Sequence, residues 1–147
     1  MKKVKITVMK KARYDDLIEK YENPKEHECD VELGDTFIAN GWEKPEDFCS
    51  SAWESISSFV LALSSGGEDL YDGWMKNKKS AMISCNDGFR PVSFLLETLD
   101  EDAEWMKKWK WIKKVVEKYK IKNYSEFYLN LKKKQIIWIP YGYSRFP

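Results

Sequence analysis

The sequence predicts an α+β protein with a small, mainly antiparallel sheet, a central amphipathic helix and a helical C-terminal extension. Residues 3–9 alternate apolar and polar side chains, which is the period of a half-buried strand. Residues 48–63 repeat apolar side chains at three- and four-residue steps, as a core helix does. Two apolar runs flank Asn86-Asp87-Gly88, a sequence typical of β-hairpins. With 147 residues, the chain is long enough to bury a core of its own.

A strand, a short helix and a second strand are predicted ahead of the central helix, over residues 3–9, 14–21 and 31–39. Asn23-Pro24 ends the short helix, because the residue before a proline disfavours helical backbone. Asn40-Gly41 ends the second strand with turn-forming residues.

The central helix is predicted over residues 45–65. Pro45 suits the first helical turn, because proline has a fixed φ and the N–H that it lacks has no helical partner there. Gly66-Gly67 then ends the helix.

The remaining elements follow the hairpin signal. The predicted segments are strands over 80–85 and 92–96, helices over 101–120 and 123–133, and a last strand over 136–139. Pro91 cannot donate to a strand ladder, so we expect it at a strand start or an edge. Trp105 and Trp109 begin an apolar stripe on the first of these helices, and lysines fill its other faces.

Charge divides the chain into two parts. Residues 1–101 carry 13 Lys and Arg against 20 Asp and Glu, whereas residues 102–147 carry 12 against 4. We interpret 1–147 as a single domain in which a basic helical extension, 102–147, packs on the acidic core, 1–101. The alternative is an extension that binds nucleic acid or an acidic partner.

The sequence also predicts a cytoplasmic protein with no membrane segment. Its apolar runs are shorter than the roughly 18 residues that span a bilayer, and residues 1–11 lack the apolar centre of a signal peptide. Three cysteines are an odd number at spacings that match no disulfide framework, which favours reduced thiols.

An ordered series of motifs resembles a small, uncharacterised prokaryotic protein family found mainly in anaerobes. The matching segments are a Lys-rich start at residues 1–8, Cys29, Phe-Cys-x-x-Ala-Trp at 48–53 and Cys-x-Asp-Gly-x-Arg-Pro-Val at 85–92. The resemblance covers residues 1 to about 100 and implies a shared fold unit without naming a reaction. Ser84 and Asp30 stand where the family has a cysteine and a proline, so a four-thiol site of the family would be incomplete here.

The cysteines suggest two kinds of site. Cys29, Cys49 and Cys85, with His27, have the ligand types of a zinc or iron–sulfur site, although no Cys-x-x-Cys pair is present. The alternative to a metal is that Cys49 and Cys85 are simply buried apolar thiols.

A reactive thiol is the other possibility, with Cys49 and Cys85 as the candidate catalytic residues. The predicted first helical turn would favour the thiolate of Cys49. Arg90 would assist if the hairpin folds back over it, and His27 is the one imidazole that could serve as a base.

Polar and aromatic residues beside these thiols suggest a ligand pocket. Arg90 would bind a carboxylate or phosphate beside Trp53 and Trp74, with Asp87 as a further contact. Alternatively, Asp87 serves only the turn and Arg90 braces it through an ion pair with Asp87.

The leading prediction is therefore a small enzyme or ligand-binding protein whose pocket accepts a small anionic or aromatic molecule. The rival is a non-catalytic interaction module or accessory subunit that uses its basic extension. Sequence-specific DNA binding is disfavoured, because the helix over 123–133 offers little of the side-chain chemistry that reads bases. A homo-oligomer is compatible with the sequence.

Overall fold

The computed structural model describes residues 1–25 and 29–120. His27 and the segments predicted as a helix over 123–133 and a strand over 136–139 lie outside the described residues. Residues Met1–Met106 form one compact unit, and a second unit begins at Lys107. The predicted packing of the extension on the core therefore stays a prediction.

The compact unit is built on a four-stranded sheet whose neighbouring strands are all antiparallel. Its strands are β1 (Lys2–Lys11), β2 (Thr36–Ala39), β3 (Ser80–Ser84) and β4 (Val92–Asp102). The spatial order is β2-β1-β4-β3, so the two longest strands form the centre of the sheet. Together with the helices, this sheet confirms the predicted α+β class.

The helices are α1 (Asp15–Tyr21), α2 (Ser50–Ser64) and α3 (Glu104–Tyr119). Helix α2 packs on one face of the sheet, where Ile56, Val60 and Leu63 are fully buried. The alternate residues of β1 that face it, such as Ile6, are equally buried. In the part of the chain that the structure describes, none of the helices combines the length and apolar character needed to cross a membrane.

The central helix begins five residues later than predicted, at Ser50. The Phe48 N–H donates to the Pro45 carbonyl at 3.1 Å, which closes a turn instead of opening a helix. Cys49 then adopts φ −56° and ψ 126°, so it precedes the helix as its N-cap. The prediction was wrong because proline near acidic residues suits a turn as well as a first helical turn.

The second amphipathic helix also begins later than predicted, at Glu104 instead of residue 101. Strand β4 runs on to Asp102, because its charged end pairs with the lysines that open β1. The Lys3 ammonium contacts the Glu101 carboxylate at 3.2 Å and the Glu104 carboxylate at 2.8 Å.

Strands β3 and β4 form the predicted hairpin, and hydrogen bonds to the Asp87 side chain shape its loop. Residues 85–91 connect the strands, and Gly88 is not among the described glycines with positive φ. The Asp87 side chain shapes the loop instead, since its Oδ1 accepts the N–H groups of Phe89 at 2.8 Å and Arg90 at 2.9 Å.

Candidate functional site

A cavity of about 120 Å³ lies between the start of α2 and the β3–β4 loop, and we call it the thiol cavity. All three cysteines of the chain, Cys29, Cys49 and Cys85, line it. Asp87 and Arg90 line it as well. The structure thus brings together residues from three segments that are distant in sequence.

The inner wall of the thiol cavity is apolar. Phe48, Ala52, Val92 and Phe94 form it, and each of them is at most 3% exposed. The Phe48 and Phe94 rings meet edge to face with centroids 5.3 Å apart. This wall belongs to the hydrophobic core, so packing on its far side fixes its shape.

The two tryptophans predicted for the pocket lie elsewhere. Trp53 is partly buried and packs edge to face on Phe48, with the ring centroids 6.1 Å apart. Trp74 is 85% exposed. Neither of them is among the described residues that line the thiol cavity, where Phe48 and Phe94 supply the aromatic surface.

The three thiols differ in their surroundings. Cys29 and Cys49 are exposed, whereas Cys85 is partly buried and its sulfur accepts the Val92 N–H at 3.2 Å. Cys49 caps α2 through its backbone alone, because its side chain makes no capping hydrogen bond. Cys49 therefore presents an exposed sulfur directly before the first turn of α2.

Polar contacts fix the rim of the cavity. The Ser51 hydroxyl donates to Oδ1 of Asn86 at 2.6 Å and ties the first turn of α2 to the loop. Burial works against the charge of Asp87, but the N–H donors of Arg90 and Phe89 outweigh it and hold the pKa of Asp87 below its ordinary value. Asp87 thus stabilises the loop as an ionised acceptor.

Arg90 forms an ion pair with Glu22, not with Asp87. Its two terminal nitrogens contact the two carboxylate oxygens of Glu22 at 2.8 and 2.6 Å, a bidentate arrangement. The side chains of Arg90 and Glu22 are 13% and 6% exposed, and Lys25 also contacts Glu22 at 3.2 Å. An anionic ligand would therefore compete with Glu22 for the guanidinium.

The ion pair between Arg90 and Glu22 makes the free energy of unfolding depend on pH in acidic solution. The Arg90 hydrogen bonds outweigh burial and, with help from Lys25, lower the pKa of Glu22 from 4.5 to about 2. Between pH 4.5 and about 2, the native state keeps this carboxylate ionised, whereas the unfolded chain protonates it. The stability that the ion pair provides is therefore complete above pH 4.5 and is lost as pH falls towards 2.

We expect Glu22→Gln to abolish this part of the acid sensitivity. Urea unfolding between pH 2 and pH 6 should show the wild type losing its advantage over Glu22→Gln as the solution becomes more acidic. Glu19→Gln, an exposed change in α1 just before Glu22, serves as the control and should follow the wild type. A difference between wild type and Glu22→Gln that stays constant over this range would contradict the assignment.

The predicted metal site lies only partly within the described residues. In the described segments 1–25 and 29–120, no group of three or more His, Cys, Asp or Glu side chains is arranged to hold a metal ion. His27, the fourth predicted ligand, lies outside those segments. A zinc or iron–sulfur site stays a prediction.

Comparisons of the chain with protein-family models, curated proteins and solved structures found no match. The motif resemblance to a prokaryotic family therefore stays a prediction. The function of the chain is accordingly inferred from the geometry of the thiol cavity.

Sequence reasoning missed the apolar half of the site and the partner of Arg90. Phe48 precedes Cys49 and Phe94 lies four residues after Arg90, but their apolar character indicated only core positions. Glu22 follows α1 before Asn23-Pro24, and nothing in that local pattern connects it with a hairpin 68 positions away. An acid directly after a predicted helix was the one available signal.

Proposed function

We propose that the protein binds a small, largely apolar molecule in the thiol cavity, with Cys49 as the thiol that meets its outer end. The convergence of three cysteines on one cavity with a buried aromatic wall carries this proposal. Small-molecule sites typically combine such an apolar concave surface with a few placed polar groups. Ser51, Asn86 and Arg90 supply polar groups at this rim.

The size of the cavity limits the ligand. An apolar cavity of about 150 Å³ in another protein accepts benzene. The thiol cavity, at about 120 Å³, therefore suits an apolar group slightly smaller than a benzene ring, such as a short alkyl chain. A larger molecule would place only one end inside and leave the rest near the exposed Cys29 and Cys49.

Two of the thiols at this cavity suggest a reaction as well as binding. Cys49 is the better nucleophile by position, since it is exposed at the start of a 15-residue helix. Cys85 is the better wall residue, since its sulfur already accepts a backbone hydrogen bond. In an enzymatic version of the function, Cys49 would react and Cys85 would contact the bound molecule.

A protection experiment tests the proposal. Butyramide is a neutral probe whose alkyl chain fits the cavity, and iodoacetamide alkylates thiols that it can reach. We expect Cys49 to be alkylated faster than Cys85, and butyramide to slow the reaction of Cys49 severalfold, as followed by peptide mass spectrometry. Glutathione in the same solution corrects for any direct effect of butyramide on the reagent.

Two results would contradict binding in the thiol cavity. Unchanged alkylation of Cys49 at high butyramide, together with unchanged amide NMR shifts for Ala52 and Val92, would remove the proposed binding site. Shifts clustered in a different part of the chain would count against it in the same way.

A second candidate function rests on the composition of α3. Residues 107–120 contain seven lysines and one glutamate, and Trp109 on this helix is 56% exposed. A basic helix with an exposed indole suits an interaction module that binds an acidic protein. Salt-sensitive binding to polyglutamate, but not to duplex DNA, would favour this function, and the absence of binding to either at low salt would remove it.

A further inference from the structure

A second cavity adjoins the thiol cavity, and its lining is basic. It measures about 180 Å³ and shares Cys29, Arg90 and Val92 with the thiol cavity. Its remaining lining residues are Lys11, Ala12 and Arg13. Because three residues line both cavities, the two spaces lie side by side, so the charged end of a short ligand in the thiol cavity would lie close to the basic cavity.

Lys11 is the cation best placed to meet a ligand in this basic cavity. Its ammonium donates to the carbonyl oxygens of Cys29 at 3.1 Å and Val31 at 2.9 Å. Both acceptors are neutral, and among the described residues no carboxylate forms an ion pair with Lys11. An ammonium has three N–H donors, so one of them remains for a ligand. The charge of this ammonium is not offset by any acid among the described residues.

The other two cations of the basic cavity are engaged with acids. Arg13 contacts Asp15 with its Nε 2.6 Å from Oδ1, and Arg90 is held by Glu22. Their ion pairs offset their charges locally, so among the described residues the unmatched positive charge lies at Lys11. A compact ammonium binds a single anionic group as a point charge, without the fixed fork of an arginine.

We propose that this basic cavity binds the carboxylate of a ligand whose alkyl end occupies the thiol cavity, so that the ligand class is a short-chain carboxylic acid. This inference rests on the proposed function, because it assigns the second half of the same site. The apolar wall selects the alkyl chain, and Lys11 selects the charged end over a neutral one.

The test compares butyrate with butyramide, which have the same chain length and differ in charge. Dissociation constants are measured by NMR titration at pH 7 and fixed ionic strength. We expect the wild type to bind butyrate roughly tenfold more tightly than butyramide, as a charge-assisted hydrogen bond provides. In Lys11→Met the preference should disappear while butyramide still binds with wild-type affinity.

Three further variants separate charge from folding. Lys10→Met removes the neighbouring exposed lysine of β1 and should keep the preference for butyrate. Lys11→Arg retains the charge and should recover most of the preference, whereas Lys11→Gln keeps N–H donors for the two carbonyls without the charge and should not recover it. If Lys11→Met fails to fold, the proposal is tested in the wild type alone. The dissociation constant of butyramide should then exceed that of butyrate at low salt, and the difference should disappear at high salt.

The outcomes distinguish the two proposals. Equal binding of butyrate and butyramide by the wild type would overturn the carboxylate inference and leave the apolar site in place. If neither compound binds, both proposals fail. A preference for butyrate that survives in Lys11→Met would show that another cation binds the carboxylate.

Discussion

Replacing Phe48 with alanine is expected to destabilise the protein by about 3–5 kcal/mol, the range for removing a buried aromatic ring. Phe48 is 3% exposed and packs edge to face on Phe37, Trp53 and Phe94, so its loss removes three ring contacts. Urea unfolding measures the change. Leu61→Ala, at an exposed position of α2, is the control and should cost about 0.5 kcal/mol or less.

The same variant should change what the thiol cavity accepts. Phe48 forms part of the wall, so truncating its ring enlarges the space beside Phe94. Where the variant remains folded, we expect it to bind benzamide, which is too large for the wild-type cavity. A loss of stability below about 1 kcal/mol, or no gain in benzamide binding, would show that the ring is not packed as described.

Replacing Ala52 with leucine is expected to abolish binding of butyramide. Ala52 lies in the first turn of α2, is 3% exposed and lines the thiol cavity, so a larger side chain would occupy the ligand's volume. Overpacking should cost about 1–3 kcal/mol of stability, so the variant can be compared with wild type after checking its unfolding curve. NMR titration measures the affinity, and we expect at least about a tenfold loss for a displaced alkyl group.

The matched control for this prediction is Ala62→Leu. Ala62 lies on the same helix, is only partly buried and does not line the thiol cavity. It should bind butyramide as wild type does. Wild-type affinity in Ala52→Leu would mean that butyramide binds elsewhere. Ala52→Val, a smaller addition, should give an intermediate loss if the effect is one of volume.

Most of the fold could be predicted because its signals are local. Alternation identified β1, and apolar side chains at helical spacing identified α2. The boundary errors have a common cause: Pro45 and the charged end of β4 suit two local structures equally well. At Pro45 the alternative is a closed turn, in which the Phe48 N–H donates to the Pro45 carbonyl. At the end of β4, strand pairing with Lys2 and Lys3 decides in favour of the strand.

The site could be predicted only in part for the same reason. Local motifs identified Cys49 and Cys85 at the ends of elements that the fold brings together. They could not select the partner of Arg90, because Glu22 meets it through contacts between segments distant in sequence, such as the Tyr14 N–H that donates to the Phe89 carbonyl in the β3–β4 loop. Nor could they decide that Phe48, and not Trp53, lines the cavity, since Phe48 lies in a turn before α2 and not on the helix that was predicted to include it.

Intermolecular NOEs from bound butyramide test the central claim, that a small apolar group occupies the thiol cavity. We expect NOEs from the terminal methyl protons of butyramide to the Ala52 methyl group and the Phe94 ring, and none to Ala62. NOEs from that methyl group only to residues outside the wall formed by Phe48, Ala52, Val92 and Phe94 would contradict it.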